Sequence, residues 1–153
     1  MNKQQLLGKI EKAWSDFRDA RAGLDEAQLT RPGVTEGWSV KDIIGHVTVW
    51  EEEALKHLPH ILEGVRPPRY ADLYGGIDAF NALKTAENRA RSLDEVLARS
   101  EAVHGRFVAT VAAAPDEQIA TDTRYRRRIR LDAYGHYPIH TAAIREWRER
   151  EGI

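Results

Sequence analysis

The run Ser39-Val40-Lys41-Asp42-Ile43-Ile44-Gly45-His46-Val47-Thr48-Val49-Trp50-Glu51-Glu52-Glu53-Ala54 decides the fold class. Val40, Ile43, Val47, Trp50 and Ala54 recur at steps of three and four, and the series continues through Leu58 and Ile61, so these residues share one face of a helix. Ser39 with Asp42 resembles a capping box at its start, with Asp in place of the usual Glu or Gln. Gly64 ends the stripe. Pro59, inside it, predicts a kinked or shortened last turn, because its ring removes an amide donor.

The same periodicity extends to both sides. Upstream, Leu6/Leu7, Ile10, Trp14, Phe17 and Leu24 lie on one helical face, and Gly23 and Thr30-Arg31-Pro32-Gly33 punctuate its end. Downstream, Gly64 to Gly76 reads as a loop. A third helical region opens near Asp78 with Phe80 and Leu83, and continues through Leu93, Val96/Leu97, Val103, Phe107 and Val111 to a stop at Pro115. Ser92-Leu93-Asp94-Glu95 within it is a capping box, marking either a break or a polar turn of one long helix. Pro115 to Arg130 reads as a loop, and a last helical segment carries Leu131, Tyr134, Ile144 and Trp147. Only Tyr125 to Arg130 offers even a short hint of strand. The expectation is an all-α four-helix bundle, formed by residues 1–153 as a single domain, whose long loops after the second and third helices allow a crossover connection.

Composition narrows the function classes. With 153 residues the chain can bury one real core. Lys+Arg number 23 against Asp+Glu 24, a formal charge of -1, so no global field favours nucleic acid or an anionic membrane as partner. No apolar run approaches the ~18 residues of a membrane span, and no secretory h-region precedes the first amphipathic stripe. The expected setting is cytoplasmic and the expected partner a small-molecule substrate. Cysteine is absent, so the chain has no thiol nucleophile, and a metal would take nitrogen and oxygen ligands alone.

Six histidines stand at 46, 57, 60, 104, 136 and 140. His46 lies on the apolar stripe between Ile43 and Trp50. His136 and His140 are four apart, which in a helix stacks two imidazoles ~6 Å along the axis. A third imidazole from a facing helix would complete a three-histidine site with a position open for water or substrate. The same residues could instead be hydrogen-bonded core histidines. Pro138 between them means that the helix bends at the pair, or that it begins at Pro138 with His136 on the approach. His57, His60 and His104 read as surface or packing residues. Glu51 and Glu52 read as solvated, Asp42 as a cap, and Glu53 as two turns from His46. Arg124, Arg126, Arg127, Arg128 and Arg130 form the one basic cluster, with Tyr125 and Ile129 interleaved. It reads as a solvated loop, as an anion-recognising wall leading into the last helix, or as a nucleic-acid patch. Trp14, Trp38, Trp50 and Trp147 read as core or pocket lining.

Two segments carry a resemblance. Gly37-Trp38-Ser39-Val40-Lys41-Asp42-Ile43-Ile44-Gly45-His46 with Trp50-Glu51 is similar to the helix-two signature of the DinB/YfiT-like superfamily. His136-Tyr137-Pro138-Ile139-His140 with Ile144-Arg145-Glu146-Trp147 resembles its helix-four signature. Asp78-Ala79-Phe80-Asn81 and Ser92-Leu93-Asp94-Glu95-Val96-Leu97 also resemble it, particularly its ClbS/DfsB-like branch. The resemblance implies a four-helix bundle with one long crossover connection, often a homodimer, with a divalent metal (Zn or Ni) held by His46, His136 and His140. It further implies an enzyme acting on an electrophilic small molecule in detoxification or stress response. That enzyme would be a metal-dependent hydrolase, or a thiol-dependent S-transferase of the same superfamily, and a non-catalytic metabolite-binding bundle is the remaining reading. Thiol-transferase members usually follow the second helix-four histidine with an Arg-Gly-Gln-like stretch. Thr141-Ala142-Ala143 stands there in this chain, which places hydrolysis ahead.

Overall fold

The computed structural model describes residues 1–153, and every element is helical. Four long helices make the bundle: α1 (Lys3–Ala20), α3 (Val40–Leu62), α6 (Leu93–Ala112) and α9 (Tyr137–Glu151). Between them lie α2 (Glu26–Leu29), α4 (Tyr70–Tyr74), α5 (Ile77–Arg89), α7 (Asp116–Ala120) and α8 (Arg124–Asp132). Helix α3 is the central element. It packs on α6, α5 and α8, while α1 closes the other side against α9 and α6. The segment from Glu63 to Ser92, carrying α4 and α5, is the long crossover connection.

The stripes read from the sequence form the core. Leu6, Ile10, Trp14 and Phe17 of α1 meet Ile43, Val47, Ala54 and Leu58 of α3, Val96, Phe107 and Val111 of α6, and Ile144 and Trp147 of α9. Burial of such side chains contributes about 1.5–3 kcal/mol each and drives the assembly. Ser39 caps α3 as expected: its Oγ accepts from Asp42 N, and the Asp42 carboxylate accepts from Ser39 N at 3.0 Å. Gly45 faces Asn88 closely: a Cβ there would lie 2.8 Å from Asn88 Nδ2, so a larger residue would have to displace that side chain where α5 packs on α3.

Two expectations change, and one left open is decided. Helix α3 runs through Pro59 to Leu62, because a proline near the C-terminal end of a helix costs one hydrogen bond that the last turn can forgo. Ser92 marks a real break, its hydroxyl accepting from Glu95 N to start α6 after α5 has ended at Arg89. The stretch Pro115 to Arg130 is not a loop or a strand but contains α7 and α8. Thr123 caps α8 by accepting from Arg126 N, and Tyr125, Ile129 and Asp132 make its buried face. The last helical segment is therefore two helices, with Leu131 exposed rather than in the core. No helix is long and apolar enough to cross a membrane.

Candidate metal centre

His46 projects from the second turn of α3, with the Trp38 ring centroid 4.7 Å from its own. Trp38 is placed by a tight turn in which its amide donates to Thr35 O at 2.9 Å and its carbonyl accepts from Val34 N. The other two histidines come from the α8–α9 junction. Chain reversal there depends on Gly135, whose amide donates to Arg130 O at 2.8 Å and whose Cβ, if present, would lie 2.7 Å from that oxygen. His136 follows as the N-cap of α9, and Pro138 sits in the first turn, where a missing amide costs nothing. Of the two geometries Pro138 allows, the chain adopts the one in which His136 precedes the helix. His140 lies one turn inside it.

The three rings converge. His136 Nε2 lies 3.1 Å from His46 Nε2 and 3.0 Å from His140 Nε2, and the three donor atoms all fall within 4.8 Å of one another. A neutral imidazole nitrogen carries either one proton or one lone pair. His136 Nε2 therefore cannot satisfy both neighbours, since as acceptor it has one lone pair and as donor one proton. Burial lowers the pKa of all three: His46 and His140 to about 3, helped by repulsion from the neighbouring histidines, and His136 to about 4, with the Asp132 backbone partly offsetting. At neutral pH the cluster is thus three uncharged imidazoles whose Nε2 atoms face one another, and in the tautomer with the proton on Nδ1 each would direct a lone pair into the space between them. That donor set suits a borderline-soft divalent cation, and the two short edges are close to the ~3.3 Å edge of a tetrahedron with Zn–N bonds of 2.0–2.1 Å.

A cleft of about 250 Å³ opens beside His46 and His136, between α3, α4, α5 and α8. One wall is apolar, with Trp50, Ile77 and Leu131. Trp50 Nε1 donates to Asn81 Oδ1 at 3.0 Å, which holds the indole in place. The other wall is a polar chain that the sequence reading did not assemble. Arg128 Nε donates to Asp132 Oδ2 at 2.6 Å, Arg128 Nη2 donates to Tyr70 Oη at 3.0 Å, and Tyr70 Oη donates to Glu53 Oε1 at 3.0 Å. Burial raises the Tyr70 phenol to about 12, which keeps the proton that this last bond requires. It also raises Asp132 to about 6, although Arg128 pulls the other way. His57, buried with its Nε2 3.6 Å from Glu53 Oε1, ends the chain. A larger surface groove, of about 840 Å³, lies between α1 and α9 and contains none of the three histidines.

One further residue corrects the sequence reading. Glu51 is completely buried rather than solvated, and its Oε2 accepts from His104 Nδ1 at 2.7 Å and from Tyr137 Oη at 2.9 Å. His104 in turn stacks on Trp14, with ring centroids 3.7 Å apart. Only spacing could have hinted at the remaining partners: Arg128, Asp132, His136 and His140 succeed one another at intervals of four. Glu52 is half-buried and paired with Arg99, and His60 is exposed as expected.

Comparison with known proteins agrees with this architecture. Residues 10–137 match the mycothiol maleylpyruvate isomerase N-terminal domain. No curated protein matches significantly in sequence. Among solved structures, an uncharacterised protein from Escherichia coli UTI89 superposes with a TM-score of 0.79 at 16% identity, covering 99% of this chain and 95% of that one. DfsB, described as a sibling lethal factor precursor, gives 0.79 at 15% identity over 99% and 97%. The colibactin self-resistance protein ClbS, solved in complex with double-stranded DNA, gives 0.78 at 14% identity over 95% and 94%. The DNA in that complex stands against taking near-zero net charge as an argument that nucleic acid is no partner of this fold. The match over residues 10–137, the helical bundle and its structural neighbours together make the chain a member of the mycothiol maleylpyruvate isomerase N-terminal domain family, within the DinB/YfiT-like superfamily.

Proposed function

We propose that the protein is a metal-dependent enzyme that binds a divalent cation, Zn or Ni, through His46, His136 and His140. Its reaction is the hydrolysis of an electrophilic small molecule. One observation carries the reading: three imidazole nitrogens, from the buried His46 and His140 and the half-buried His136, converge beside a cleft in an arrangement they cannot satisfy among themselves. A buried polar cluster of that kind costs free energy unless a further partner takes up the lone pairs. A cation in that position would supply Lewis-acid activation, lowering the pKa of water toward neutrality.

The chain's own groups then have defined tasks. Pro138 and the Gly135 turn fix the approach of His136, and Trp38 covers His46. Trp50, Ile77 and Leu131 receive an apolar body and exclude water from one side. The polar wall, locked by Asp132 and Tyr70, orients the remaining part of the molecule. Thiol transfer is the second reading, supported by the family's association with a mycothiol-linked isomerase. As the chain has no cysteine, any thiol would arrive as a cosubstrate.

Elemental analysis of protein purified without an affinity tag tests the metal. Close to one equivalent per chain is expected after reconstitution with Zn or Ni, whereas less than about 0.1 equivalents would sink the metalloenzyme reading. With the loaded protein, turnover of an epoxide or activated ester with water alone supports hydrolysis. Turnover that requires an added low-molecular-weight thiol supports the transferase.

A further inference from the structure

Two of the three histidines come from the start of α9, and the third comes from α3. Helix α9 leans mainly on α1, however, and touches α3 only lightly. The convergence of the three rings therefore depends on the register of α9 against a helix on which it barely packs. The start of α9 is also weakly fixed by its own bonds. His136, at the N-cap, makes no side-chain capping bond, and Pro138 offers no amide in the first turn. Ile139, between the two histidines, is exposed and anchors nothing in the core.

Apart from the contact between His46 and His136, one hydrogen bond ties this helix start to α3. Tyr137 Oη donates to Glu51 Oε2 at 2.9 Å, and both residues are completely buried. Tyr137 follows His136 directly, and Glu51 stands five residues after His46, about 7.5 Å along the axis of α3. The tie thus joins the same two helices as the imidazoles, little more than one turn away.

Its acceptor is itself held in place. His104 Nδ1 of α6 donates to the same carboxylate oxygen at 2.7 Å, and Trp14 of α1 stacks on His104. The Tyr137 ring packs against Trp14 and Phe17, with centroids 5.3 and 6.3 Å away. All four long helices meet here, so the phenol oxygen finds its acceptor at one position of α9 only. A slip of α9 along α3 would leave a buried hydroxyl without a partner, and the cost of that resists the slip.

We infer that Tyr137, with Glu51 as its fixed acceptor, is a positioning residue of the metal centre. The phenol–carboxylate bond sets the register of α9 on α3, and so holds His136 and His140 at the distance from His46 at which the three nitrogens converge. The consequence for metal binding rests on the proposed metal reading, whereas the placement of the imidazoles does not.

Tyr137→Phe tests this, because it keeps the packed ring and removes only the hydroxyl. Two quantities are measured: Zn affinity by competition with a chelator, and the imidazole NMR signals of His46, His136 and His140 in metal-free protein. Zn affinity is expected to fall about 10- to 100-fold, as when a group that orients a metal ligand is removed, and the histidine signals are expected to shift or broaden. Glu51→Gln keeps a carbonyl oxygen for the phenol and should bind Zn within about threefold of the wild type. Leu58→Ala opens a cavity in the core two turns beyond Glu51, farther from His46, and controls for lost stability. It should leave both quantities as in the wild type. Unchanged Zn affinity with unmoved histidine signals in Tyr137→Phe would overturn the inference. So would an equal loss in Leu58→Ala, which would make the effect one of stability, or in Glu51→Gln, which would make it one of charge. A wild-type chain that takes up no Zn would sink the metal reading, and the histidine signals would then decide the positioning alone.

Discussion

Helix α3 carries two buried polar clusters little more than one turn apart, and they are resolved in opposite ways. At Glu51 the donors are matched, although the second carboxylate oxygen, Oε1, is buried without a partner. One carboxylate oxygen receives an imidazole N–H and a phenol O–H, and Trp14 covers the imidazole. At His46 the cluster is not complementary. Three neutral nitrogens of one kind face each other, without a carboxylate among them. At Glu51 each neighbouring donor meets an acceptor, whereas at His46 like nitrogens meet, which is the arrangement that the proposed cation would resolve. The comparison also shows how the two are joined. Tyr137, the donor to Glu51, is the residue after His136, so the structural cluster holds the helix end that presents two of the histidines.

Breaking the structural member should have the largest effect. Glu51→Ala would leave the Tyr137 hydroxyl and the His104 N–H buried without an acceptor, and a loss of about 3–5 kcal/mol in chemical denaturation is expected. A loss under about 1 kcal/mol would show that the network is dispensable for stability. The ligand member should behave the other way. His140→Ala is expected to keep the cooperative unfolding transition while weakening Zn binding at least about 100-fold, as removal of a ligand does. Unchanged metal affinity with lost stability would reclassify His140 as a packing residue.

The pH response sharpens the contrast further. The histidines titrate in the folded chain at about 3 to 4 against 6.5 for a free imidazole, so between those values the unfolded chain binds more protons. The metal-free protein should therefore lose nothing to these groups above pH 6.5 and become less stable as pH falls below it. Each histidine can contribute at most about 1.4 kcal/mol per pH unit. Asp132, raised to about 6 from 3.8, has the opposite sign in its own window, as does the raised Glu51. Replacing His46, His136 and His140 by Gln isolates the histidine part. The variant should show a flatter loss between pH 6.5 and 4 than the wild type, and parallel curves would contradict the lowered values.

Much of this molecule is legible in its sequence, for reasons specific to each part. Helices α1, α3, α6 and α9 announce themselves because each buries a stripe at steps of three and four. Helix α8 does not, because its buried face consists of Tyr125, Ile129 and Asp132 set among five arginines, and one of the three is itself charged. That His46, His136 and His140 come together is legible through spacing and resemblance. Glu51 is not. Its partners lie 53 and 86 residues away, and a helical wheel cannot say which distant side chain a glutamate will meet. The polar wall is hidden for the same reason, as Tyr70 reaches Arg128 across 58 residues.

The missing cysteines have one more consequence. The only sulfur in the chain is that of Met1, well outside the core. A catalyst whose substrate is an electrophile runs the risk of being alkylated by it, and thiolates are the side chains most readily attacked. This protein presents no such group, and it has no core sulfur that an oxidant could convert to a polar form. Under the proposed reaction, the nucleophiles left open to an electrophile are the imidazoles of the cluster and the surface lysines, and a cation occupying the imidazole lone pairs would shield the former.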